Sequence, residues 1–578
     1  MRNCGDKKTR PFVPAIFAVL AALGVFGIGS LNAQSNPKQV EIPPPPMGWS
    51  SWNSFSNTVD SQIVMAQAKA MVSTGMAKAG YKYINIDEGW WLGERDREGN
   101  IVVEAKAWPA IAPGEKAGDM ANIVRYIHGL GLKAGIYTDA GKDGCGTVGP
   151  DLGPGYPNEG SEGHYEQDFL QFARSGFDYV KVDWCGGDKE NLDPAVQYAE
   201  ITRAIARAES VTGRRLYFSI CNWGKNSPWT WAPGVGGVAA DVWRTGGDIV
   251  APIVANTKNA DRRAELKEVF REFDEANHPE AEHTGFYNDP DMMVVGMPGL
   301  TDAQNRVHMG LWAMSGGPLL VGADLTGLSD AAQATLTNEA VLAVDQDGLG
   351  LQAVKVAETG PGLEVWSKPL LKAGERAVLL LNRTGAAAPI SFAFAELGLR
   401  DTTQAGIKDL WAGKDVGVFK ATYSTTVPAA DAVLLLIRGK DAGFTTYKIE
   451  RLQMTSISKH PQASSAAEKG EPVDGVQPED TGGAAVLRDM PVNFSVRSAS
   501  LAHVSRIRID YKNPDKFPRF AELRVNDRIA TRIAFPSTGK STGAVTIQSL
   551  LDRTDGKNEL EFSTSGDPGP IIESISVQ

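Results

Sequence analysis

The chain has little of what metal, redox and nucleic-acid chemistry require. Among 578 residues there are four cysteines and seven histidines. No Cys-x-x-Cys or His-x-x-x-His spacing offers a transition-metal site, so neither a metal nor another cofactor is expected. A basic surplus is missing as well: the formal net charge is −11, and nucleic acid, which needs a positive face, is not an expected partner. After the first 33 residues no stretch approaches the roughly 18 apolar residues of a spanning helix. No membrane span is therefore expected in the mature chain. There is also no internal repeat of fixed period. What is present, 42% hydrophobic and 22% charged residues, is the composition of a globular protein long enough for two or three domains. Neutral sugars, bound by hydrogen bonds and stacking, remain compatible with the acidic charge.

Residues 1–33 read as a secretory signal. Arg2, Lys7, Lys8 and Arg10 form a basic start, an apolar run covers 12–28, and Ala33 is a small residue at a cleavage point. The alternative is a retained membrane anchor. On the first reading the mature protein is secreted or periplasmic. Cys4 then leaves, and Cys145, Cys185 and Cys221 remain, one of them necessarily unpaired.

From about residue 43 to 350, short β-rich runs (83–87, 133–137, 179–183, 216–221, 242–245) alternate with amphipathic stretches (62–79, 119–130, 164–175, 194–209). This is the rhythm of βαβ units. The runs end in polar and aromatic clusters, as the strands of a (β/α)8 barrel do at the face that carries active sites. Beyond 350 the pattern becomes that of an antiparallel sheet, over 354–416 and 426–438, giving a domain at 351–440. A polar stretch at 456–483 reads as a linker or long loop. Short strands return at 492–496, 505–511, 521–525, 544–549 and 559–563, as in a second β-sandwich within 445–578. The expected fold is thus α/β: a TIM barrel followed by two β-sandwich domains.

The strongest local signal is Lys181-Val182-Asp183-Trp184-Cys185. Residues two apart on a strand share a face, so Lys181 and Asp183 project together, with Cys185 beyond them. A nearby ammonium favours the ionised carboxylate that a nucleophile needs; a buried structural ion pair has the same signature. In Trp243-Arg244-Thr245-Gly246-Gly247-Asp248 two glycines permit a turn that aims Asp248 back at the pocket, although Asp after such a turn also serves as a helix N-cap. Asp87-Glu88-Gly89-Trp90-Trp91 sets two acids beside two indoles, which suits sugar hydroxyls and C–H faces. Both acids reach one pocket only if the strand ends there, and an N-capping role for Glu88 is the plain alternative. Ten of the 13 tryptophans lie between Trp49 and Trp243, with Trp52, Trp223, Trp229 and Trp231 at expected loop positions.

Seven motifs in order resemble glycoside hydrolase family 27, the α-galactosidase and α-N-acetylgalactosaminidase group. They are Pro46-Met47-Gly48-Trp49-Ser50-Ser51-Trp52-Asn53, Asn85-Ile86-Asp87-Glu88-Gly89-Trp90, Gly135-Ile136-Tyr137-Thr138-Asp139, Lys181-Val182-Asp183, Cys221-Asn222-Trp223-Gly224, Trp243-Arg244 with Asp248, and Asn288-Asp289-Pro290-Asp291-Met292. The resemblance implies that Asp183 is the nucleophile and Asp248 the acid/base of a retaining exo-glycosidase, with carboxyls about 5–5.5 Å apart. It places Trp52, Asp87, Glu88, Tyr137, Lys181, Asn222, Arg244 and Asp291 at the sugar. It pairs Cys145 with Cys185 and leaves Cys221 free, because Ala240 stands where a partner cysteine would be. The implied substrate is a galactose-containing oligo- or polysaccharide.

Two departures bear on specificity. Glu88 stands where these α-galactosidases carry Asp, and its extra methylene can fill the space of a C6 hydroxymethyl group. A β-L-arabinopyranosidase, an activity also found in this family, is the alternative that follows. Asn222 replaces a Glu near the 2-hydroxyl and adds a donor to an acceptor. A non-catalytic sugar-binding protein is a third reading, disfavoured by the presence of both carboxylates. The tail resembles carbohydrate-binding module family 35 through Leu523-Arg524-Val525-Asn526, Phe535-Pro536-Ser537-Thr538-Gly539 and Asp555-Gly556-Lys557-Asn558-Glu559-Leu560; a purely structural β-domain is the alternative there.

Overall fold

Eight parallel strands form the first domain of the protein in the computed structural model. The structure describes residues 37–145, 158–234, 237–250, 263–400, 404–448, 485–486, 491–497, 504–551, 558–564 and 568–578. The leader 1–33 and the polar stretch 456–483 lie outside them. The strands are β1 (Met47–Ser50), β2 (Tyr83–Asn85), β3 (Lys133–Asp139), β4 (Tyr179–Asp183), β5 (Tyr217–Cys221), β6 (Val242–Arg244), β7 (Tyr287–Asp289) and β8 (Leu319–Val321). From β1 to β7 each pairs with the next in parallel, β8 pairs back to β1, and a single parallel bridge between Met293 and Val321 brings the chain after β7 against β8. The sheet thereby curls into a barrel.

Helices between the strands start and stop where the chemistry dictates. Asp193 caps Pro194–Thr212, accepting from the Ala195 and Val196 N–H groups, and proline occupies the first turn, where no N–H is needed. The stretch expected as one helix over 62–79 is two, Ser61–Ser73 and Met76–Ala79, because Gly75 between them is left-handed at φ 84°. Strands β1, β7 and β8 had no sequence signal: at three or four residues, Met-Gly-Trp-Ser, Tyr-Asn-Asp and Leu-Leu-Val are too short to show a period.

The second domain sets a six-stranded antiparallel sheet against a two-stranded antiparallel sheet, Ala388–Ala393 with Thr422–Val427. Its central strand Glu375–Asn382 is apolar on both faces, not alternating as expected. Val378 and Leu380 enter the sandwich core with Ile390, Phe392 and Leu435, whereas Leu379 and Leu381 join the barrel's core with Trp366 and Leu434. Two covered faces need two apolar sets.

The C-terminal domain is a β-sandwich with its own core, including Ile507, Ile509, Leu523, Ile533, Phe562 and Ile575. Strands Arg528–Phe535 and Ile571–Val577 join those expected from the sequence. Lys38–Gln39, just before the barrel, pairs in parallel with Gly543–Leu550 of this sandwich. The sandwich also leans on the barrel directly: the buried His283 ring contacts the Thr531 hydroxyl at 3.0 Å, and the Ala534 N–H donates to Thr284 Oγ1 at 3.1 Å. Asp441 joins the second domain to the third. It accepts from the buried Arg376 guanidinium and from the Gly374 N–H at 2.6 Å, and lies 3.5 Å from Arg506.

Replacing Asp441 by Ala leaves two largely buried guanidinium groups facing each other. A loss on the order of 3 kcal/mol is expected, read as a lower midpoint for the first thermal transition. An unchanged midpoint shows that Asp441 does not couple the two domains.

Candidate active site

The strand register delivers the charged groups to one end of the barrel. β2 stops at Asn85, so Asp87 and Glu88 follow in a loop where strand alternation no longer separates them, and both are buried. Asp87 accepts hydrogen bonds from Lys181 Nζ at 3.0 Å, from Ser50 Oγ at 3.2 Å and from the Glu88 N–H at 2.9 Å, and its own N–H donates to Ser51 Oγ at 2.9 Å. On β4, Lys181 and Asp183 share a face as expected, Nζ to Oδ2 3.9 Å. Tyr137 of β3 is level with Lys181, and Asp139 with Asp183; Lys181 Nζ stands 5.4 Å from the centre of the Tyr137 ring. Trp52 opens the short helix Trp52–Phe55 after β1 and is half-buried. A cavity in the barrel interior, lined by Asp87, Lys181, Cys221, Arg244 and Asp291, lies at the same end.

A second cluster closes the other side. Arg244, at the end of β6, reaches Asp291 at 3.0 Å and Asp248 at 3.4 Å. Asp291 is non-glycine at φ 77°, a strained conformation. Its carboxylate accepts from the Met292 N–H at 2.7 Å and from the Ile249 N–H at 2.8 Å, which fixes the chain just after Asp248. The Asp248 side chain is 39% exposed against 7% for Asp183, so the pair comprises a rim acid and a floor acid. Arg271, from helix Leu266–Glu275, donates to the Asp248 carbonyl at 2.9 Å while pairing with Glu268, Glu272 and Glu275 at 2.7–2.8 Å. The glycines before Asp248 serve space, not a left-handed turn. Neither has positive φ, and a Cβ on Gly246 would run into the Glu272 and Glu275 carboxylates.

Burial dominates the electrostatics. It raises Asp183 to about 6; Lys181 opposes the shift, and the charges of Asp248 and Asp87 add to it. Lys181 thus pulls Asp183 towards its ionised form, as expected, but the ammonium lies closer to Asp87, and desolvation of Asp183 outweighs the pull. Asp291 is likewise raised to about 6 by burial against the pull of Arg244. Lys181, despite burial, is carried well above its ordinary range by Asp87, Cys221 and Asp183, and stays charged.

Several residues take places the sequence did not foretell. Asn222 is fully buried, and its Nδ2 donates to the Lys225 carbonyl at 2.7 Å. The added donor is therefore engaged in its own loop, and Oδ1 remains without a partner among the described residues, an acceptor like the Glu it replaces. Trp229 stacks on His278 at 3.6 Å and Trp231 on Tyr198 at 6.0 Å, so these two indoles pack on protein. Cys185, by contrast, is where it was expected: its Sγ lies within 4.8 Å of an Asp183 carboxylate oxygen, it is bridged to Cys145, tying the loop after β3 to the end of β4, and Cys221 is free and buried. Glu159 and Arg271 escaped notice, since each comes from a polar segment that sequence alone cannot aim at a site.

Buried and rim carboxylates, two cations and an aromatic wall at the C-terminal end of a parallel barrel define a glycosidase-type site. The comparisons agree. The family model described as alpha galactosidase A matches residues 44–347, the alpha-galactosidase C-terminal β-sandwich matches 360–437, and the CBM13-like domain of alpha-galactosidases matches 492–577. The chain belongs to this α-galactosidase family of glycoside hydrolases. Alpha-galactosidase A of Cellvibrio japonicus is 38% identical over 446 residues, 72% of this chain and 98% of its own. The crystal structure of alpha-galactosidase I from Mortierella vinacea superposes with a TM-score of 0.59 at 26% identity, covering 69% of this chain and 98% of that one. The fold alone is shared with a β-L-arabinopyranosidase of Geobacillus stearothermophilus, TM-score 0.58 at 21% identity over 68% of this chain and 96% of that one. For the tail, the matching model is CBM13-like and not family 35. The Leu523-Arg524-Val525-Asn526 motif marks a hairpin turn with Asn526 and Asp527 both at positive φ, a device common to many sandwiches.

The disulfide closes a loop of 40 residues. Chain entropy puts its contribution at about 4 kcal/mol. Thermal unfolding with and without reductant should show a clear fall in midpoint, and equal midpoints would remove the bridge from the account of stability.

Proposed function

We propose that the chain is a retaining exo-α-galactosidase in which Asp183 attacks the anomeric carbon and Asp248 serves as acid and then base. The observation that carries this reading is the pairing of a floor carboxylate with a rim carboxylate that feel each other's charge, clamped by Lys181 on one side and Arg244 on the other. Asp183, at about 6, is ionised at neutral pH yet more basic than an exposed Asp, which favours attack. Its attack forms a glycosyl ester while Asp248 gives its proton to the departing oxygen. Esterification removes the charge on Asp183. Asp248, now a carboxylate open to water, takes a proton from the incoming molecule, and the sugar leaves with its configuration retained. Asp87 and Asp291 accept from sugar hydroxyls, the Tyr137 and Trp52 rings cover C–H faces, and Glu88 meets the sugar at its 4- and 6-positions. The natural substrate on this reading is a galactose-containing oligo- or polysaccharide.

Glu88 supports a second reading. A buried, longer side chain at the 6-position end suits a pentopyranose, and β-L-arabinopyranose has galactose-like stereochemistry without C6. Rates on p-nitrophenyl α-D-galactoside and β-L-arabinopyranoside decide between the two, and no turnover of either sugar by folded protein would leave a binding protein instead. Asp183→Asn is expected to lower kcat on the order of a thousandfold or more while sparing binding. In the wild type, the acid limb of kcat/KM should fall tenfold per pH unit below about 6, as Asp183 is protonated. A near-normal Asp183→Asn rate, or an acid limb near 4, removes Asp183 from the nucleophile's role.

Residues 1–33 are proposed to direct export, with the barrel within 43–350, the antiparallel domain within 351–440 and the last sandwich within 445–578. The basic start and apolar run support export, as does a disulfide, which persists in an oxidising compartment. The mass of exported protein should place the mature N-terminus near Gln34; an uncleaved leader points to an anchor.

A further inference from the structure

Behind Glu88 stands a second buried carboxyl. Glu159 belongs to a short segment pinned beside β3. Gly160 bridges to Asp139, the Gly160 N–H donates to the Lys142 carbonyl at 2.9 Å, the Ser161 N–H donates to the Asp139 carbonyl at 2.9 Å, and the Thr138 and Ser161 hydroxyls meet at 2.7 Å. On the other side the Asn158 N–H donates to Asp143 Oδ1 at 3.0 Å. With its backbone held at both flanks, Glu159 sends its side chain inward and is only 4% exposed. No amide, hydroxyl or cation among the described residues reaches either of its oxygens; what it meets is the Glu88 carboxyl, whose nearness bears on its titration. Both acids crowd Gly144, whose absent side chain makes the room. A Cβ there would lie 2.6 Å from Glu88 Oε1 and 3.1 Å from Glu159 Oε2.

Two buried carboxyl groups facing one gap would repel strongly if both were charged, so one of them carries a proton that it can donate to the other. Burial raises Glu159 to about 8, with the charge of Asp143 adding to the shift and the nearness of Glu88 opposing it, so a proton is available at neutral pH. Asp87, one residue away, is served differently: its partner is Lys181. The neighbouring acids are thus fixed by unlike means, one by a cation and one by another acid.

We infer that Glu159 is a specificity-determining positioning residue: by sharing one proton with Glu88 it fixes where the Glu88 carboxyl stands at the end of the pocket that meets the sugar's 4- and 6-positions. This rests on the reading that Glu88 faces that part of the sugar. Glu159 fills the space into which Glu88 could otherwise withdraw. While it is there, the extra methylene of Glu88 is kept towards the pocket and competes with an exocyclic hydroxymethyl group. The Gly144 gap admits both acids, and a side chain at 144 would displace one of them.

The test is the ratio of kcat/KM on p-nitrophenyl α-D-galactoside to that on the β-L-arabinopyranoside, for wild type, Glu159→Ala, Glu159→Asp, Glu159→Gln and Glu88→Asp. Glu159→Ala opens a void behind Glu88 and should raise the ratio five- to tenfold. Glu159→Asp, which withdraws the partner by one methylene, should raise it two- to threefold. Glu159→Gln can donate to Glu88 without a shared proton and should keep the ratio within twofold of wild type, a rescue that a loss of stability alone would not give. If Glu88→Asp moves the ratio and neither Glu159→Ala nor Glu159→Asp does, the role of Glu159 is overturned and the reading of Glu88 stands. If Glu88→Asp leaves the ratio unmoved as well, the reading of Glu88 fails first. Should Glu159→Ala not fold, Glu159→Asp alone decides: an unchanged ratio overturns the proposal.

Discussion

Two buried cations make the active end of this barrel possible. Asp87, Asp183 and Asp291 lie within one barrel mouth and are each at most 5% exposed. Without compensation, desolvation and mutual repulsion would force them to take up protons or drive the strand ends apart. Lys181 answers Asp87 at 3.0 Å and Asp183 at 3.9 Å, and Arg244 answers Asp291 at 3.0 Å and Asp248 at 3.4 Å. Removing either cation would strand carboxylates on at least two different strands or loops. Lysine on β4 and arginine on β6 are therefore as much part of the architecture as the hydrophobic core beneath them.

The barrel brings these groups together because parallel register aligns strand ends. Lys181 pairs with Tyr137 on one side and Ser219 on the other, and Asp183 with Asp139 and Cys221. Below the charged layer, Tyr83, Tyr179 and Tyr217 pack ring against ring, with centroids 5.6–6.4 Å apart. A rigid aromatic floor fixes the height at which the charged side chains emerge. The acid on the rim needs separate support, since Asp248 lies beyond the end of β6. Asp291 and Arg271 supply it, one through the Ile249 N–H and the other through the Asp248 carbonyl.

Much of this could be read in the sequence, and the limits have physical causes. β4 was legible to the residue because five residues, Tyr179–Asp183, carry alternation and end in charge. β1, β7 and β8 were not, since three or four residues hold no period and their identity as strands depends on closure of the barrel. The nearness of Lys181 and Asp183 followed from strand geometry alone. That Lys181 lies closer to Asp87, 94 residues earlier in the chain, depends on the curl of the sheet. Glu159 left no local trace, because a carboxyl sharing a proton with another is a tertiary fact. Likewise Glu375–Asn382 was expected to alternate, and it does not, because the barrel covers the face that an isolated sheet would expose to water.

The order of the distances around Lys181 has a chemical consequence. A cation placed tightly on Asp183 would lower its basicity and, with it, its strength as a nucleophile. By binding Asp87 more closely, Lys181 exerts only a partial pull on Asp183. Burial then keeps Asp183 near 6, still ionised at neutral pH and basic enough for the attack proposed for it. Glu272 shows the same logic beside the rim acid. Burial raises it to about 9 against the pull of Arg244 and Arg271, and Arg271 meets it at 2.7 Å. The chemistry proposed for the two aspartates draws on neighbouring acids that have further partners of their own, Arg271 for Glu272 and Ser50 for Asp87, so that neither cation is wholly drawn away from the pair.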